Sequence, residues 1–449
     1  MGNKIINSLK LTFSMAFPMI IQGIVFQLQS LTDKAFLGHL DTKYISALGA
    51  AQFPFFMVVE SLIAVGTGVV IYVSHLYGKN EKSEAATYVK SFIFYMSCIC
   101  LVFFAVWFCL PKQIFYMLSV NPLVMDYCVT YVKICSFIFI GLGVDIALQA
   151  FLQGIGDTKP IMYVGIIKVV LNIILTGILV FGINDFQGMG VAGAAIGTLI
   201  SNVVAAIMLI IYCFWIKKEY MLCDKLRQMF QREPFVASIK LGLPTGMEFL
   251  LWHVSNLLLI KFLNGFNYQA MAIYTLTVGI EGIVYAIFNG TAKANMTVMG
   301  QEIGAGRYKE ANFHFYISMN ANIIIEFFIL IVFILYARPI LSVFSNDIEI
   351  IEKSAIYLII TGVIMIFQFG NVVIGTAIRS YGDTRFMLYS QIFGSFFVVT
   401  LSSILVLGLH MDIMAIYITF FCDEAARSII NLIYFRVKYA KPDTILQTQ

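Results

Sequence analysis

The sequence predicts an all-α integral membrane protein with twelve transmembrane helices in two six-helix lobes. Three observations lead to this fold class. Of the 449 residues, 60% are hydrophobic and only 12% are charged, whereas soluble domains carry about 25% charged residues. Apolar runs long enough to cross a membrane as helices follow one another along the chain. Landmarks also recur 226 residues apart, as Pro18 with Pro244 and Gly156 with Gly382.

The repeat describes two copies of one whole domain, because its period is far longer than the few tens of residues of a solenoid repeat. Loops marked by Gly, Pro and charge give six helices in the first copy, at approximately 11–37, 46–77, 91–110, 126–153, 161–183 and 190–216. The second copy gives 237–263, 268–299, 313–336, 354–378, 386–409 and 412–438. An even number of helices per copy orients both copies the same way, so a parallel pseudo-two-fold repeat is expected.

The first predicted helix carries a polar face. Pro18, Gln22, Gln29 and Asp33 are spaced 4, 7 and 4 residues apart, which places them on one side of a helix. Pro18 removes a backbone hydrogen bond and permits bending. An ionisable residue inside a membrane costs about 2.5–3.5 kcal/mol and therefore suggests function. Alternatively, Asp33 lies at the outer interface, solvated or neutralised by Lys34.

Helices 4 and 5 are predicted to form a hairpin that turns at Gly156 and Asp157. Asp145 and Lys168 lie at equal distances from that turn and should share one depth. A structural ion pair is the favoured interpretation, since pairing neutralises both charges. An altered ion-coupling network is the alternative.

The segment 217–236 joins the halves and reads as an amphipathic helix on the cytoplasmic surface. It separates a predicted N-terminal lobe, 1–216, from a C-terminal lobe, 237–449.

The second copy places its acidic residues differently. At the positions of Asp33 and Gln22 it has Leu259 and Glu248, and Glu281 should reach the depth of Glu248 from the next helix. Two carboxylates at one depth would share a proton or bind a cation if they face each other. The alternative is that each glutamate has its own hydrogen-bond partner.

Further ionisable residues fall near mid-membrane. Glu60 and Glu326, one in each lobe, could line a chamber for a cationic substrate. Asp423, Glu424 and Arg427 are spaced to form a local salt bridge on the last helix.

Basic residues concentrate on one side when both termini are placed in the cytoplasm, which the positive-inside rule favours. We therefore expect a multi-pass protein of the cell inner membrane, without a cleavable signal peptide. The eight cysteines are scattered, without a Cys-x-x-Cys spacing or a histidine cluster. We expect no metal site, no cofactor, no enzymatic activity and no nucleic-acid partner, and we expect a monomer.

Several strings together resemble the multidrug and toxic compound extrusion (MATE) transporters over essentially the entire chain. Gly-Asp-Thr follows the fourth helix of each half, and Gly-Ala-Gly-Arg begins at Gly304. Further matching strings begin at Phe17, Thr32 and Gln153.

The resemblance implies export of cationic or amphipathic compounds in exchange for Na⁺ or H⁺. It also implies that Asp33 is a cation or proton site supported by Tyr131 and Asn172. The family commonly has Asp in helix 5 where this chain has Thr176, which argues against a Na⁺ site with two carboxylates.

The primary hypothesis is a secondary active antiporter for drugs or amphipathic organic cations. The alternative within transport is a lipid-linked oligosaccharide flippase of the same superfamily, against which the acidic mid-membrane residues argue. A membrane-embedded lipid enzyme would need a concentrated polar or metal-binding motif, and the sequence shows none.

Overall fold

The computed structural model describes residues 2–38, 42–183, 186–220, 222–266, 268–345 and 347–439. In the first half the α-helices are α1 (Gly2–Gly38), α2 (Thr42–Val65), α3 (Thr67–Gly78), α4 (Lys82–Cys109), α5 (Pro111–Met117), α6 (Pro122–Ser136), α7 (Ile138–Ile155), α8 (Lys159–Phe181) and α9 (Val191–Ile210). In the second half they are α10 (Arg232–Gly265), α11 (Tyr268–Gly304), α12 (Tyr308–Ser342), α13 (Ile348–Ser380), α14 (Thr384–Ser403) and α15 (Met414–Lys438). The two-residue strands β1 (Gly182–Ile183) and β2 (Phe186–Gln187) pair antiparallel.

The all-α membrane fold class is confirmed, with local differences from the predicted helices. The second predicted helix is α2 and α3, interrupted at Gly66, and the fourth is α6 and α7, interrupted at Phe137. Turns of π-helix, Ile211–Ile216 and Ile404–Gly408, extend α9 and α14. In the part of the chain that the structure describes, eleven helical stretches are long and apolar enough to cross a membrane. α15 corresponds to the twelfth predicted helix, and it carries Asp423, Glu424 and Arg427.

The repeat is visible in the helix boundaries. α3 ends at Gly78 and α11 ends at Gly304, which are 226 residues apart. The helices that follow, α4 and α12, begin at Lys82 and Tyr308, which are also 226 residues apart. Gly156 and Gly382 hold the same turn with φ of 86° and 83°, a left-handed conformation that glycine adopts without steric cost. The two copies therefore turn at the same sequence positions.

The chain divides into two compact units, each of which includes the start of the other copy's first helix. Unit 2 is Ile21–Leu243 and unit 1 is Met1–Ile20 with Pro244–Gln449. The boundaries lie inside α1 and α10, close to the repeated prolines Pro18 and Pro244. The lobes 1–216 and 237–449 are defined by the sequence repeat and not by these compact units, and they stay a prediction.

In unit 1, the first twenty residues belong to the fold through specific contacts. Lys4 Nζ lies 2.7 Å from Glu310 Oε1, and Ser8 Oγ lies 2.6 Å from His314 Nδ1. A Cβ on Gly290 of α11 would meet the backbone nitrogen of Ile20 at 2.8 Å. One core of this unit contains the parallel ring stack of Phe288 on Phe369, with centroids 3.5 Å apart.

The connecting segment is not the continuous amphipathic helix that the sequence predicts. Its described residues form two short 3₁₀ helices, Lys218–Tyr220 and Leu226–Phe230, and α10 already begins at Arg232. Polar side chains of α4 hold the segment by its backbone and side-chain oxygens. Lys90 Nζ donates to the Asp224 carbonyl at 2.6 Å and to Gln228 Oε1 at 2.8 Å, and Ser91 Oγ donates to the Gln231 carbonyl at 2.5 Å. These bonds favour short turns over a regular helix.

Candidate functional site

The candidate ion-coupling residues of unit 2 lie on α1, α6 and α8. Asp33 belongs to α1, but its side chain, like that of Lys34, lies outside the described residues. Pro18 lies inside α1, as predicted. Gln29 is buried, and its Oε1 has no hydrogen-bond partner in the described part of the chain.

α8 presents two unsatisfied oxygens one turn apart. Asn172 and Thr176 are both fully buried, and Asn172 Nδ2 donates to Thr198 Oγ1 at 3.3 Å. Among the described residues, neither Asn172 Oδ1 nor Thr176 Oγ1 has a hydrogen-bond partner. Buried polar atoms are normally paired, so these acceptors could receive a hydrogen bond or coordinate a cation.

Tyr131 of α6 is hydrogen-bonded to a glutamine of α2. It is 1% exposed, and its hydroxyl accepts a hydrogen bond of 3.0 Å from Gln52 Nε2. Gln52 and Thr198 were missed by the sequence analysis, because neither residue is ionisable and neither stands in a recognisable motif.

Asp145 and Lys168 line one small cavity of about 40 Å³ inside unit 2, together with Gln22, Gln149 and Asn202. The equal depth predicted from the hairpin agrees with this placement. Asp145 and Lys168 nevertheless form no ion pair within 4.0 Å. Instead, Gln149 Nε2 donates to Asp145 Oδ2 at 2.8 Å, and Gln22 Nε2 donates to Gln149 Oε1 at 3.3 Å. A chain of hydrogen bonds thus links α7 to the polar face of α1, just after Pro18.

In unit 1 the glutamates Glu248 and Glu281 have separate partners. Glu248 Oε1 lies 2.5 Å from Arg379 Nη2, and both side chains are nearly buried. Gln368 Nε2 donates to Glu281 Oε1 at 2.8 Å. This is the alternative that the sequence left open, and a site shared by the two glutamates stays a prediction. Arg379 was missed, since it comes from α13, 131 residues from Glu248.

The local salt bridge of α15 is confirmed. Arg427 Nη2 lies 2.6 Å from Asp423 Oδ2 and 2.7 Å from Glu424 Oε1. All three residues are buried, and Arg427 Nη1 also donates to Gln391 Oε1 at 3.0 Å. Asn371 Nδ2 donates to Glu424 Oε2 at 3.1 Å. The bridge therefore joins α13, α14 and α15.

Glu60 and Glu326, the mid-membrane candidates, differ in environment. Glu60 is partly exposed on α2. Glu326 is 2% exposed on α12, and neither of its carboxylate oxygens has a partner in the described residues. Glu326 is therefore enclosed within its unit.

The described residues contain no group of three or more His, Cys, Asp or Glu side chains arranged to hold a metal ion.

The MatE family model matches residues 18–178 and 244–405, which lie in both copies of the repeat. The chain is 22% identical over 427 residues to the "Uncharacterized transporter YisQ" of Bacillus subtilis, covering 93% of this chain and 92% of the relative. It is 23% identical over 427 residues to the "Probable multidrug resistance protein NorM" of Thermotoga maritima, covering 94% and 90%. A crystal structure of MATE in complex with MaD3S matches its fold with a TM-score of 0.89 at 19% identity, covering 97% of each chain.

Proposed function

Because the chain belongs to the MATE family of membrane transporters, we propose that it is a secondary active antiporter. It exports drugs or other amphipathic organic cations in exchange for H⁺ or Na⁺, by alternating access. The observation that carries this proposal is the pair of unsatisfied buried oxygens, Asn172 Oδ1 and Thr176 Oγ1, on a membrane-spanning helix. Leaving such acceptors unpaired costs about 1–3 kcal/mol, a cost that is offset when they bind a ligand.

In this proposal the coupling ion binds in unit 2 at Asp33, with Asn172 and Thr176 as neutral ligands and Tyr131 in support. Glu248 and Glu281 of unit 1 contribute to substrate or proton binding. Abundant aromatic side chains suit flat organic cations through cation–π contact. The protein resides in the inner membrane with both termini in the cytoplasm and acts as a monomer.

We expect the Asp33→Asn variant to lose coupled efflux, because the change removes the charge and keeps the shape of the side chain. Drug susceptibility and dye retention would be measured in cells that lack their own pumps. The matched control is Asp126→Asn, at an exposed aspartate of α6, which should retain efflux. Normal resistance in a well-expressed Asp33→Asn variant would exclude Asp33 as the coupling residue.

The coupling ion is tested separately in inverted vesicles loaded with dye. A Na⁺ pulse and an acid pulse are compared for release of the accumulated dye. A response to neither pulse, in vesicles that contain the folded protein, would contradict the antiport mechanism.

A further inference from the structure

The buried face of α12 changes character at Glu326. On the side of the Tyr308 end, a line of buried polar residues at every fourth position, His314, Ser318, Asn322 and Glu326, lies beside the buried apolar residues Ala311 and Phe315. Beyond Glu326, the buried face consists of apolar residues: Phe333, Ala337 and Leu341. The polar stripe, which we define as His314, Ser318, Asn322 and Glu326, spans about 18 Å of helix at 1.5 Å per residue. It starts near one end of the helix and stops inside the membrane-spanning stretch.

The fold does not require a polar stripe at this place. Residues 226 positions earlier, on α4, are Tyr88, Phe92, Met96 and Cys100. Phe92, Met96 and Cys100 are buried to within 1% exposure. The same position of the repeated domain is thus filled by apolar packing in the first copy. The polar residues of α12 are specific to the second copy, and their burial needs a compensating role.

Glu326 ends the stripe as a carboxyl group with no partner. It is 2% exposed, and among the described residues neither oxygen accepts a hydrogen bond. An isolated charged carboxylate in an apolar environment is too costly to persist, so the group holds a proton in this conformation. A carboxylic acid needs only one proton to become neutral, whereas a metal cation would need further oxygen ligands.

Other titratable groups on the helices around α12 form their own interactions or make no contact with Glu326. The titratable residues in the interior of α11 and α13 include Glu281, Tyr285, Lys293, Tyr357 and Arg379. On α15 they are Asp423, Glu424 and Arg427, which pair with one another. In the described residues, Glu326 forms neither a hydrogen bond nor an ion pair with any of these groups.

The stripe provides a polar connection between Glu326 and the Tyr308 end of α12. His314 Nδ1 lies 2.6 Å from Ser8 Oγ, where α1 meets α12. Asn322 Nδ2 donates to the Ser318 carbonyl at 2.8 Å, and Asn322 Oδ1 accepts from Thr291 Oγ1 of α11 at 2.8 Å. Histidine is the side chain that most readily exchanges protons near neutral pH. These groups can hydrogen-bond to water or hydronium ions along the helix.

We propose that Glu326 is a proton-binding site of unit 1 and that the polar stripe is its route to the solvent at the Tyr308 end. On binding, a carboxylate oxygen takes a proton from a hydronium ion, which leaves water, and becomes an O–H group; on release the proton passes back to water as hydronium. The inference rests on the proposed antiport and identifies H⁺ as a coupling ion that binds outside the Asp33 region.

Proton binding itself is tested without any transported substrate. In pH-difference infrared spectra of the purified full-length protein, we expect a C=O stretching band of a buried carboxylic acid that changes with pH and is absent from the Glu326→Gln variant. Glu352→Gln, which removes a surface carboxylate paired with Arg338, is the control and should keep the band. A band that persists in Glu326→Gln, or that does not change with pH in the parent protein, would overturn the proposal. Because no substrate is involved, failure here is distinct from failure of the proposed export function.

Transport then tests whether this proton is used. In Na⁺-free proteoliposomes with a pH-sensitive dye inside, substrate-dependent proton flux should fall at least tenfold in Glu326→Gln while thermal stability is maintained. Glutamine reproduces the neutral acid in shape and polarity, so a merely structural role for Glu326 predicts unchanged proton flux in Glu326→Gln. Unchanged flux would refute the proposal.

The route is tested by giving unit 1 the residue that the first copy has. Asn322→Met copies Met96 and should slow proton exchange at Glu326 at least tenfold in stopped-flow pH jumps, without removing the carboxyl band. The reciprocal Met96→Asn change introduces an amide where no carboxylate follows and should leave the exchange rate unchanged. Equal exchange rates in Asn322→Met and the parent protein would exclude the stripe as the route.

Discussion

At the scale of single residues, Asp145 and Lys168 present two opposite charges in one cavity without a direct ion pair. Removing one charge leaves the other uncompensated in a partly buried site, and the loss for fully buried pairs is roughly 3–5 kcal/mol. We expect Asp145→Asn and Lys168→Gln each to lower the free energy of unfolding by about 3 kcal/mol, the lower end of this range. The measurement is thermal unfolding in detergent together with the yield of folded protein.

The double variant decides whether the two residues compensate each other across the cavity. Asp145→Asn combined with Lys168→Gln should recover much of the stability, because no unpaired charge remains. A double variant as unstable as the worse single one would show that the residues act independently, and would favour the hydrogen-bonded chain through Gln149 and Gln22 as the stabilising feature.

Residue-level prediction from the sequence succeeded where partners lie on one helix and failed where they do not. The salt bridge of Arg427 with Asp423 and Glu424 follows from spacings of four and three residues. The pairing of Glu248 with Arg379 joins two different helices. Residue spacing does not give the rotation of each helix about its axis, so it could not predict this pair. Depth can be counted from a turn, whereas the direction of a side chain depends on helix packing.

At the scale of helices, Asp157 after α7 and Asp383 after α13 are equivalent aspartates of the two copies. Each accepts hydrogen bonds from residues at the end of its own copy. Asp157 Oδ2 accepts hydrogen bonds from the hydroxyls of Tyr212 and Tyr220 at 2.7 and 2.6 Å. Asp383 Oδ2 accepts from Lys438 Nζ at 2.7 Å, and from Tyr434 and Tyr439 at 2.5 and 2.9 Å. The sequence identified these aspartates as repeat landmarks but did not predict their partners, which come from distant helices.

We expect Asp383→Asn to destabilise the protein more than Asp157→Asn, because only Asp383 binds a cationic donor. Tyrosine hydroxyls donate to both carboxyl groups, but only Asp383 also forms an ion pair, with Lys438 Nζ at 2.7 Å, so Asp383→Asn removes one further interaction. Burial alone would raise the pKa of Asp383, but the hydrogen bonds from Lys438, Tyr434 and Tyr439 outweigh it and lower that pKa.

A carboxyl group whose pKa is lowered by folding contributes stability above its unfolded pKa, about 3.9 for aspartate. The contribution is lost as the pH falls through the lower folded pKa. The difference in melting temperature between the parent protein and Asp383→Asn should therefore be full at pH 7 and shrink below about pH 4. A difference that does not change with pH would mean that packing, and not charge, accounts for the effect.

Helix existence and order were predictable because long apolar runs leave few alternatives in a membrane. The interruptions at Gly66 and Phe137 were not predicted, since no proline stands at either position. The connecting segment was also misjudged, because its side-chain pattern suits an amphipathic helix, while the bonds from Lys90 and Ser91 act on its backbone oxygens.

At the scale of the whole molecule, the sequence repeat and the compact units do not share boundaries. The repeat begins its second copy with the helix that contains Pro244, and the sequence assigned all residues from 237 onward to the second lobe. In the structure, residues up to Leu243 belong to the same unit as Ile21. A repeat is read from similarity between copies, whereas a compact unit depends on which residues pack together.

The start of α10 packs against α2 and α3 at two glycines. A Cβ on Gly242 would lie 1.9 Å from the Val65 carbonyl oxygen, and one on Gly68 would lie 2.0 Å from the Ser238 carbonyl oxygen. Backbone atoms on both sides cannot move aside as a flexible side chain can. The close approach therefore fixes residues 232–243 to unit 2.

We expect Gly242→Leu to destabilise unit 2, by about 1–3 kcal/mol or more, because the new side chain overlaps a backbone carbonyl. Gly279→Leu in α11 is the matched control, since a Cβ there meets no atom within 4 Å, and it should have little effect. Hydrogen exchange measured by mass spectrometry locates the damage: in Gly242→Leu, exchange should increase in α3 and not in α13. If residues 237–243 instead belong with the second lobe, as the sequence predicts, exchange would increase in α13 while α3 stays protected, and the boundary at Leu243 would be wrong.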